Sequence, residues 1–155
     1  MNWVIYKSRQ MKIHTYLNEV LAPILDDIKG YNWLIADVEF QSTPKGKLPI
    51  DMEQEYFVLS PTEFGILLKA EVQILWGVTL GFPKTINVKV NENSLPFVEG
   101  NGLLFKTGNF QHPDAQIEID CFDSSLTIVK FKDEILSNKF HSYFPEATEL
   151  EKWPY

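Results

Sequence analysis

The chain has 155 residues, of which 45% are hydrophobic and 23% charged; this is typical of one folded domain, here residues 1–155, and excludes a mainly disordered protein. No uninterrupted apolar run reaches the roughly 18 to 20 residues of a transmembrane helix, and the apolar-then-basic order of residues 1–12 is the reverse of a secretory signal. The one cysteine, Cys121, allows no disulfide within the chain. That favours a reducing compartment, so we expect a cytoplasmic protein.

The net charge of −7 is unevenly distributed. Residues 1–18 carry three basic side chains and no acidic one, whereas the remaining 137 residues carry 21 acidic and 11 basic side chains. The strong negative charge of residues 19–155 disfavours nucleic acid and anionic membranes as partners and favours basic proteins. The same charge is also typical of a surface that only maintains solubility. Arg9 is the only arginine, which further disfavours bidentate recognition of phosphate.

The first third of the chain predicts a helix followed by a strand. Apolar residues recur at steps of three and four over residues 13–29, which predicts a helix that Pro23 kinks and Gly30 ends. Residues 33–40 predict a strand, and the proline- and glycine-containing residues 41–51 predict a loop.

The middle of the chain predicts short strands around a second helix. Residues 56–59 predict a buried strand, and Ser60-Pro61-Thr62-Glu63 predicts a capping box at the start of a short helix. From residue 72 the apolar period changes to two, which predicts a strand over residues 72–80 and another over residues 86–90. Residues 94–114 are rich in glycine and proline and predict an irregular excursion.

Residues 115–131 predict a hairpin. A two-residue loop, Asp123-Ser124, would pair Cys121 with Leu126, Ile119 with Ile128 and Ile117 with Lys130. Glu118 and Asp120 would then lie on the opposite, solvent-facing side. Asp133 is a plausible N-cap for a last helix that ends before Pro145.

Together these elements predict an α+β fold with a mostly antiparallel sheet and about three helices packed mainly on one face. The other face of the sheet would then be partly open.

No residue pattern points to catalysis. His14, His112 and His141 stand apart in the sequence without metal-ligand spacing, Cys121 has no basic neighbour, and there is no GxSxG motif. The sequence therefore predicts no catalytic residue, metal site or cofactor. It leaves open whether the chain is an enzyme, while favouring a non-enzymatic role.

Two stretches carry a resemblance to known proteins: Lys29-Gly-Tyr-Asn-Trp-Leu-Ile-Ala-Asp-Val38, and residues 117–140 with their Cys-Phe-Asp-Ser-Ser-Leu-Thr-Ile-Val core. They resemble a family of small, uncharacterised bacterial cytoplasmic proteins, a domain of unknown function that brings no functional residues with it. In size, acidity and α+β type the chain is also similar to immunity proteins of bacterial toxin systems.

Two functions remain open at this point. The first is a non-enzymatic module that binds a basic protein, most concretely an immunity protein that neutralises a basic toxin, with its interface at Glu118, Asp120, Asp123, Asp133 and Glu134. The alternative is a small enzyme or ligand-binding domain whose pocket is covered by the 94–114 loop. The sequence does not decide the oligomeric state.

Overall fold

A computed structural model describes residues 1–41, 45–106 and 108–154, and within these ranges the chain forms one seven-stranded antiparallel sheet and three α-helices. The predicted α+β fold class is confirmed. The strand order is β3-β2-β4-β5-β6-β1-β7. The strands are β1 (Asn2–Ile5), β2 (Asn32–Phe40), β3 (Tyr56–Leu59), β4 (Ile74–Phe82), β5 (Ile117–Phe122), β6 (Leu126–Phe131) and β7 (Thr148–Glu149), and the helices are α1 (Leu17–Val20), α2 (Pro61–Lys69) and α3 (Glu134–Tyr143).

The helices pack against one face of the sheet, but the single helix predicted for residues 13–29 is wrong. The structure has the four-residue α1, then a 3₁₀ turn at Ala22–Ile24. Thr15 takes a positive φ of 64° just before α1, and Pro23 cannot donate the backbone hydrogen bond that would continue the helix. Most of the apolar stripe is nevertheless buried, since both kinds of turn keep residues three or four apart on the same side, but Ile13 at its start is exposed. Its buried members are Leu17, Val20, Leu21, Ile24 and Ile28.

The starts of α2 and α3 form as predicted. Ser60 Oγ accepts a hydrogen bond from the Glu63 amide at 3.3 Å, and Glu63 Oε2 accepts one from the Ser60 amide at 2.8 Å, which completes the capping box. Asp133 Oδ1 accepts hydrogen bonds from the amides of Ile135 and Leu136, at 2.7 and 3.1 Å. These caps satisfy backbone donors that a helix leaves unpaired in its first turn.

The opposite face of the sheet is covered as well, so the expectation of a partly open face is wrong. Residues 83–106 and 108–116, which we call the cover segment, lie over this face without forming a strand or helix. The strand predicted over residues 86–90 is absent; Ile86, Val88 and Val90 are half-buried on alternate positions, but no described strand pairs with them. Their alternation reflects an extended chain lying across the sheet. The second core between sheet and cover contains Val4, Leu34, Val78, Leu80, Phe82, Val98, Leu104, Ala115, Leu126, Ile128 and Leu150.

The hairpin of β5 and β6 forms, but its predicted register is wrong by one residue. Phe122 pairs with Leu126 across a three-residue loop, which places Glu118 opposite Lys130 and Asp120 opposite Ile128. Asp123 and Ser124 both adopt a φ of 49°, a tight reversal that leaves Ser125 as the extra loop residue. A shift of one residue on one strand moves every side chain of that strand to the other face. Lys130 therefore joins the carboxylates on the cover side of the sheet.

In the described part of the chain, no helix is long and apolar enough to cross a membrane.

Candidate functional site

Two of the five predicted interface residues are buried. Glu118 and Asp120 are both 0% exposed, because the cover segment lies over the face that the sequence pattern assigned to solvent. A fully buried carboxylate cannot contact a partner protein. The predicted interface is therefore wrong at these two positions.

The other three predicted residues are exposed but do not form one surface. Asp123 lies in the loop before β6, whereas Asp133 and Glu134 follow the end of β6. The six residues of β6 separate the two groups by about 20 Å at roughly 3.3 Å per residue. Asp133 is also engaged in capping α3. An interface at Asp123, Asp133 and Glu134 stays a prediction.

The buried carboxylates form an ionic cluster with Lys130, which is itself 0% exposed. Lys130 Nζ lies 2.7 Å from Glu118 Oε1 and 3.5 Å from Asp120 Oδ2, and it donates a hydrogen bond to the Asn109 carbonyl at 2.8 Å. Glu118 Oε2 accepts a hydrogen bond from the Gln111 amide at 2.6 Å. Glu118 and Lys130 thus form a close, hydrogen-bonded ion pair, and buried charges are tolerated only in such an arrangement.

Asp120 has a different role in this cluster. Its Oδ1 accepts one long hydrogen bond from Gln111 Nε2 at 3.3 Å, and its Oδ2 has no hydrogen-bond partner among the described residues. Burial, and then the nearby negative charge of Glu118, raise the pKa of Asp120 well above its usual range, and the attraction of Lys130 offsets only part of that shift. The cluster thus favours the protonated form of Asp120.

Gln111 connects the ionic cluster to the surface. Besides its bonds to Glu118 and Asp120, its Oε1 accepts hydrogen bonds from the Phe97 amide at 2.9 Å and from Asn101 Nδ2 at 3.1 Å. Asn101 Nδ2 also donates to the Phe97 carbonyl at 2.9 Å. The cluster therefore fixes the part of the cover segment around Phe97.

That part of the cover segment forms one wall of an open cleft of about 370 Å³. Asp37, Val38 and Glu39 of β2 and Trp76 near the start of β4 line it. Met52, Gln54 and Glu55 from the chain leading into β3, and Phe57 of β3 itself, form a second wall. Leu95, Pro96, Phe97 and Glu99 of the cover complete the cleft. The volume lies within the roughly 300 to 1,000 Å³ of ligand-binding clefts.

The cleft is strongly acidic. Asp37, Glu39, Glu55 and Glu99 are exposed carboxylates that line it, and no lysine, arginine or histidine is among the described residues of its wall. Low-dielectric walls focus the field of such like charges toward the opening. The cleft is therefore suited to cationic groups.

Exposed apolar side chains accompany these charges. Met52 is 54% exposed and Phe97 is 46% exposed, and Trp76 is half-buried with its ring 4.5 Å from that of Phe122. Aromatic and methionine side chains are enriched where proteins bind partners. The cleft wall thus combines negative charge with exposed apolar surface.

A bulge in β2 shapes the cleft. Asp37 has a φ of 52°, and the pairing with β4 shifts in register between Ala36 and Glu39. Asp37 Oδ2 accepts a hydrogen bond from the Val98 amide at 2.8 Å, which holds the cover segment against β2. Bulges re-aim side chains and are common beside functional sites. Here the bulge provides both a carboxylate and the anchor for the opposite wall.

The histidines and the cysteine lie apart from the cleft. His141 stacks on Trp3 with ring centroids 4.0 Å apart, and His112 Nε2 is 2.7 Å from the Lys89 carbonyl. Cys121 is buried, and that burial, together with the charge of Asp120, raises the pKa of its thiol. Among the described residues no three His, Cys, Asp or Glu side chains are arranged to hold a metal ion.

The sequence reasoning missed the cleft because its four carboxylates come from three separate segments. One signal was present: Asp37 interrupts the apolar run of residues 33–36 within the predicted strand.

No protein-family model matches the chain, and neither the curated proteins nor the solved structures include a detectable match to it. The function must therefore be argued from the site itself.

Proposed function

We propose that this chain is a non-enzymatic binding protein that docks a basic partner protein through the acidic cleft. The observation that supports this most directly is the cleft wall, in which Glu39, Glu55 and Glu99 stand beside exposed Met52 and Phe97 with no basic side chain. A net charge of −7 would speed association with a cationic partner, and the apolar side chains would slow dissociation. The proposed interface thus moves from the hairpin to the cleft.

The more specific form of this proposal is an immunity protein that neutralises a basic bacterial toxin. An inhibitor of this kind needs a preformed, charged surface and no catalytic group. Its own test is genetic: we expect the reading frame beside the gene to encode a basic toxic protein whose toxicity is suppressed by co-expression of this chain. A neighbouring gene with no toxic product would contradict this form.

The docking proposal is tested by charge variants matched for net charge. The cleft variant carries Glu39→Gln, Glu55→Gln and Glu99→Gln, and the control variant carries Asp123→Asn, Glu134→Gln and Glu151→Gln. Asp37 is left intact because it anchors the cover segment. Both variants lose three negative charges, so only the position of those charges differs.

The probe is a capped heptapeptide of alternating lysine and valine, titrated calorimetrically into each protein. We expect the peptide to bind the wild type, the cleft variant to bind about tenfold more weakly, and the control to stay within about twofold, since each rim ion pair contributes roughly 0.2 to 1 kcal/mol. A glutamate–valine peptide should not bind. Absence of binding to the wild type, or equal weakening in both variants, would overturn the proposal.

A second candidate is a ligand-binding domain for a small cation, which the concave, acidic shape of the cleft favours. Its wall at Leu95, Pro96, Phe97 and Glu99 belongs to the 94–114 loop of the alternative function given in the sequence analysis. Spermidine is a suitable probe: binding of spermidine as tight as that of the heptapeptide would favour this candidate, because a small cation does not need the apolar rim. Binding of the heptapeptide alone would favour the protein partner.

A further inference from the structure

The cleft also exposes backbone that has no partner strand. The pairing of β2 with β3 runs from Trp33 opposite Leu59 to Ala36 opposite Tyr56, where β3 begins. β2 itself continues to Phe40 and stays paired with β4 on its other side as far as Phe40 opposite Ile74. Glu39 and Phe40 are therefore paired on one edge only by the strands that the structure describes, whereas Asp37 and Val38 lie in the bulge, where no residue of β4 stands opposite them.

The chain that leads into β3 does not fill this edge. It turns at residues 51–54, where the Gln54 amide donates to the Asp51 carbonyl at 3.0 Å, and its residues 52–55 form the far wall of the cleft. The gap between this wall and β2 is the cleft itself. A strand edge left open in this way presents backbone N–H and C=O groups to any extended chain that enters.

We propose, on the basis of the docking function above, that the partner enters as an extended basic segment that pairs with residues 38–40 of β2, which follow the bulge at Asp37, and continues the line of β3. Strand addition of this kind supplies affinity through backbone hydrogen bonds and specificity through alternate side chains. Every second side chain of the added strand would face into the cleft, which Glu39, Glu55 and Glu99 line from its three walls. The ligand class is thus an extended peptide with lysine or arginine at alternate positions.

The charges around this strand edge favour a basic segment as the partner. Asp51 and Glu53 are exposed in the turn that frames the gap, in addition to the carboxylates of the cleft wall. Neither the paired stretch of β2 nor residues 37–40 contain lysine or proline, the residues by which many proteins block an edge. An acidic, unblocked edge is complementary to a basic strand and repels an acidic one.

The test uses backbone N-methylation of the lysine–valine heptapeptide and leaves the protein unchanged. In an extended chain, successive N–H groups point to opposite edges, so methylation of every valine nitrogen blocks one edge and methylation of every lysine nitrogen blocks the other. Only one edge of the peptide faces β2. We therefore expect one methylated form to bind at least about tenfold more weakly than the parent, because it loses backbone hydrogen bonds, and the other to stay within about threefold.

The outcomes separate this inference from the proposed function. If the parent peptide binds and both methylated forms bind equally well, or both are weakened to the same degree, strand addition is overturned while charge-directed docking stands. If the parent does not bind, the docking function itself fails. Hydrogen exchange gives a second measurement, since only strand addition slows exchange of those amides among residues 38–40 that face the open edge.

Discussion

Asp120 and Glu118 are two carboxyl groups of the same buried cluster, and their amide substitutions are expected to have opposite effects on stability. Asp120→Asn replaces a group that burial and the charge of Glu118 keep close to its neutral form, so the amide resembles the native state. Glu118→Gln removes the negative charge 2.7 Å from Lys130 and leaves a buried ammonium without its closest partner. Only the second substitution breaks an ion pair.

The magnitudes follow from burial. Removing one member of a buried ion pair costs about 3 to 5 kcal/mol, so Glu118→Gln should lower the free energy of unfolding by about that much. Because the folded pKa of Asp120 is raised, its contribution to stability is present in full below the unfolded pKa of about 3.9 and is lost as the pH rises through the folded pKa. The loss is at most about 1.4 kcal/mol per pH unit within that window. An asparagine at position 120 does not titrate, so the Asp120→Asn variant does not lose stability in this way as the pH rises.

The assay is urea unfolding followed by far-ultraviolet circular dichroism at intervals from pH 4 to pH 9. We expect the stability of Asp120→Asn relative to the wild type to increase with pH above about 4 and to level off at the folded pKa of Asp120. Asp26→Asn is the control, since Asp26 is exposed and its substitution should give no such rise. If Asp120→Asn destabilises the protein as much as Glu118→Gln, with a difference that does not change with pH, Asp120 is ionised in the fold and the reasoning is refuted.

Three further predictions concern the same framework. Lys130→Met should lower the free energy of unfolding by about 3 to 5 kcal/mol, whereas Lys139→Met at the exposed pair with Asp27 should cost about 1 kcal/mol or less; equal losses in urea unfolding would contradict the distinction. Ser60→Ala should cost about 1 kcal/mol by removing the capping box of α2, and an unchanged unfolding midpoint would count against that cap. Cys121 should resist a thiol reagent in native protein and react at once in urea; rapid native labelling would show that it is accessible.

The sequence predicted those parts of the fold that local chemistry determines. The capping box at Ser60 and the N-cap at Asp133 formed as expected, because each needs only residues within one helical turn. The apolar stripe of residues 13–29 predicted burial correctly but not helix length. Pro23 and the positive φ of Thr15 interrupt the backbone without moving the stripe away from the core.

The hairpin shows where local pattern fails. Ile117 and Ile119 share one face of the sheet in the predicted register and in the observed one. The alternation of apolar residues alone therefore does not choose between a two-residue and a three-residue loop. The observed register places Glu118 opposite Lys130, an ion pair that the cover segment buries. Burial by a segment without regular structure cannot be read from the strands that it covers.

The cleft could not be predicted from the sequence for a related reason. Its walls come from β2, from the chain before β3 and from the cover segment. The bond of Asp37 to Val98 joins β2 to the cover segment, and the bond of Gln111 to Phe97 fixes the cover segment itself. Such contacts span 61 and 14 residues, respectively. The acidic composition indicated a basic partner, but only the three-dimensional structure gives the charge a concave surface.

The most direct test of the docking account is a nuclear magnetic resonance titration of the isotope-labelled protein with the lysine–valine heptapeptide. The account predicts that saturable amide shift changes concentrate in residues 37–39, 52–57 and 95–99, the ranges that contain most of the residues lining the cleft. Shift changes concentrated at Asp123, Asp133 and Glu134, spread evenly over the acidic surface, or absent altogether would contradict it.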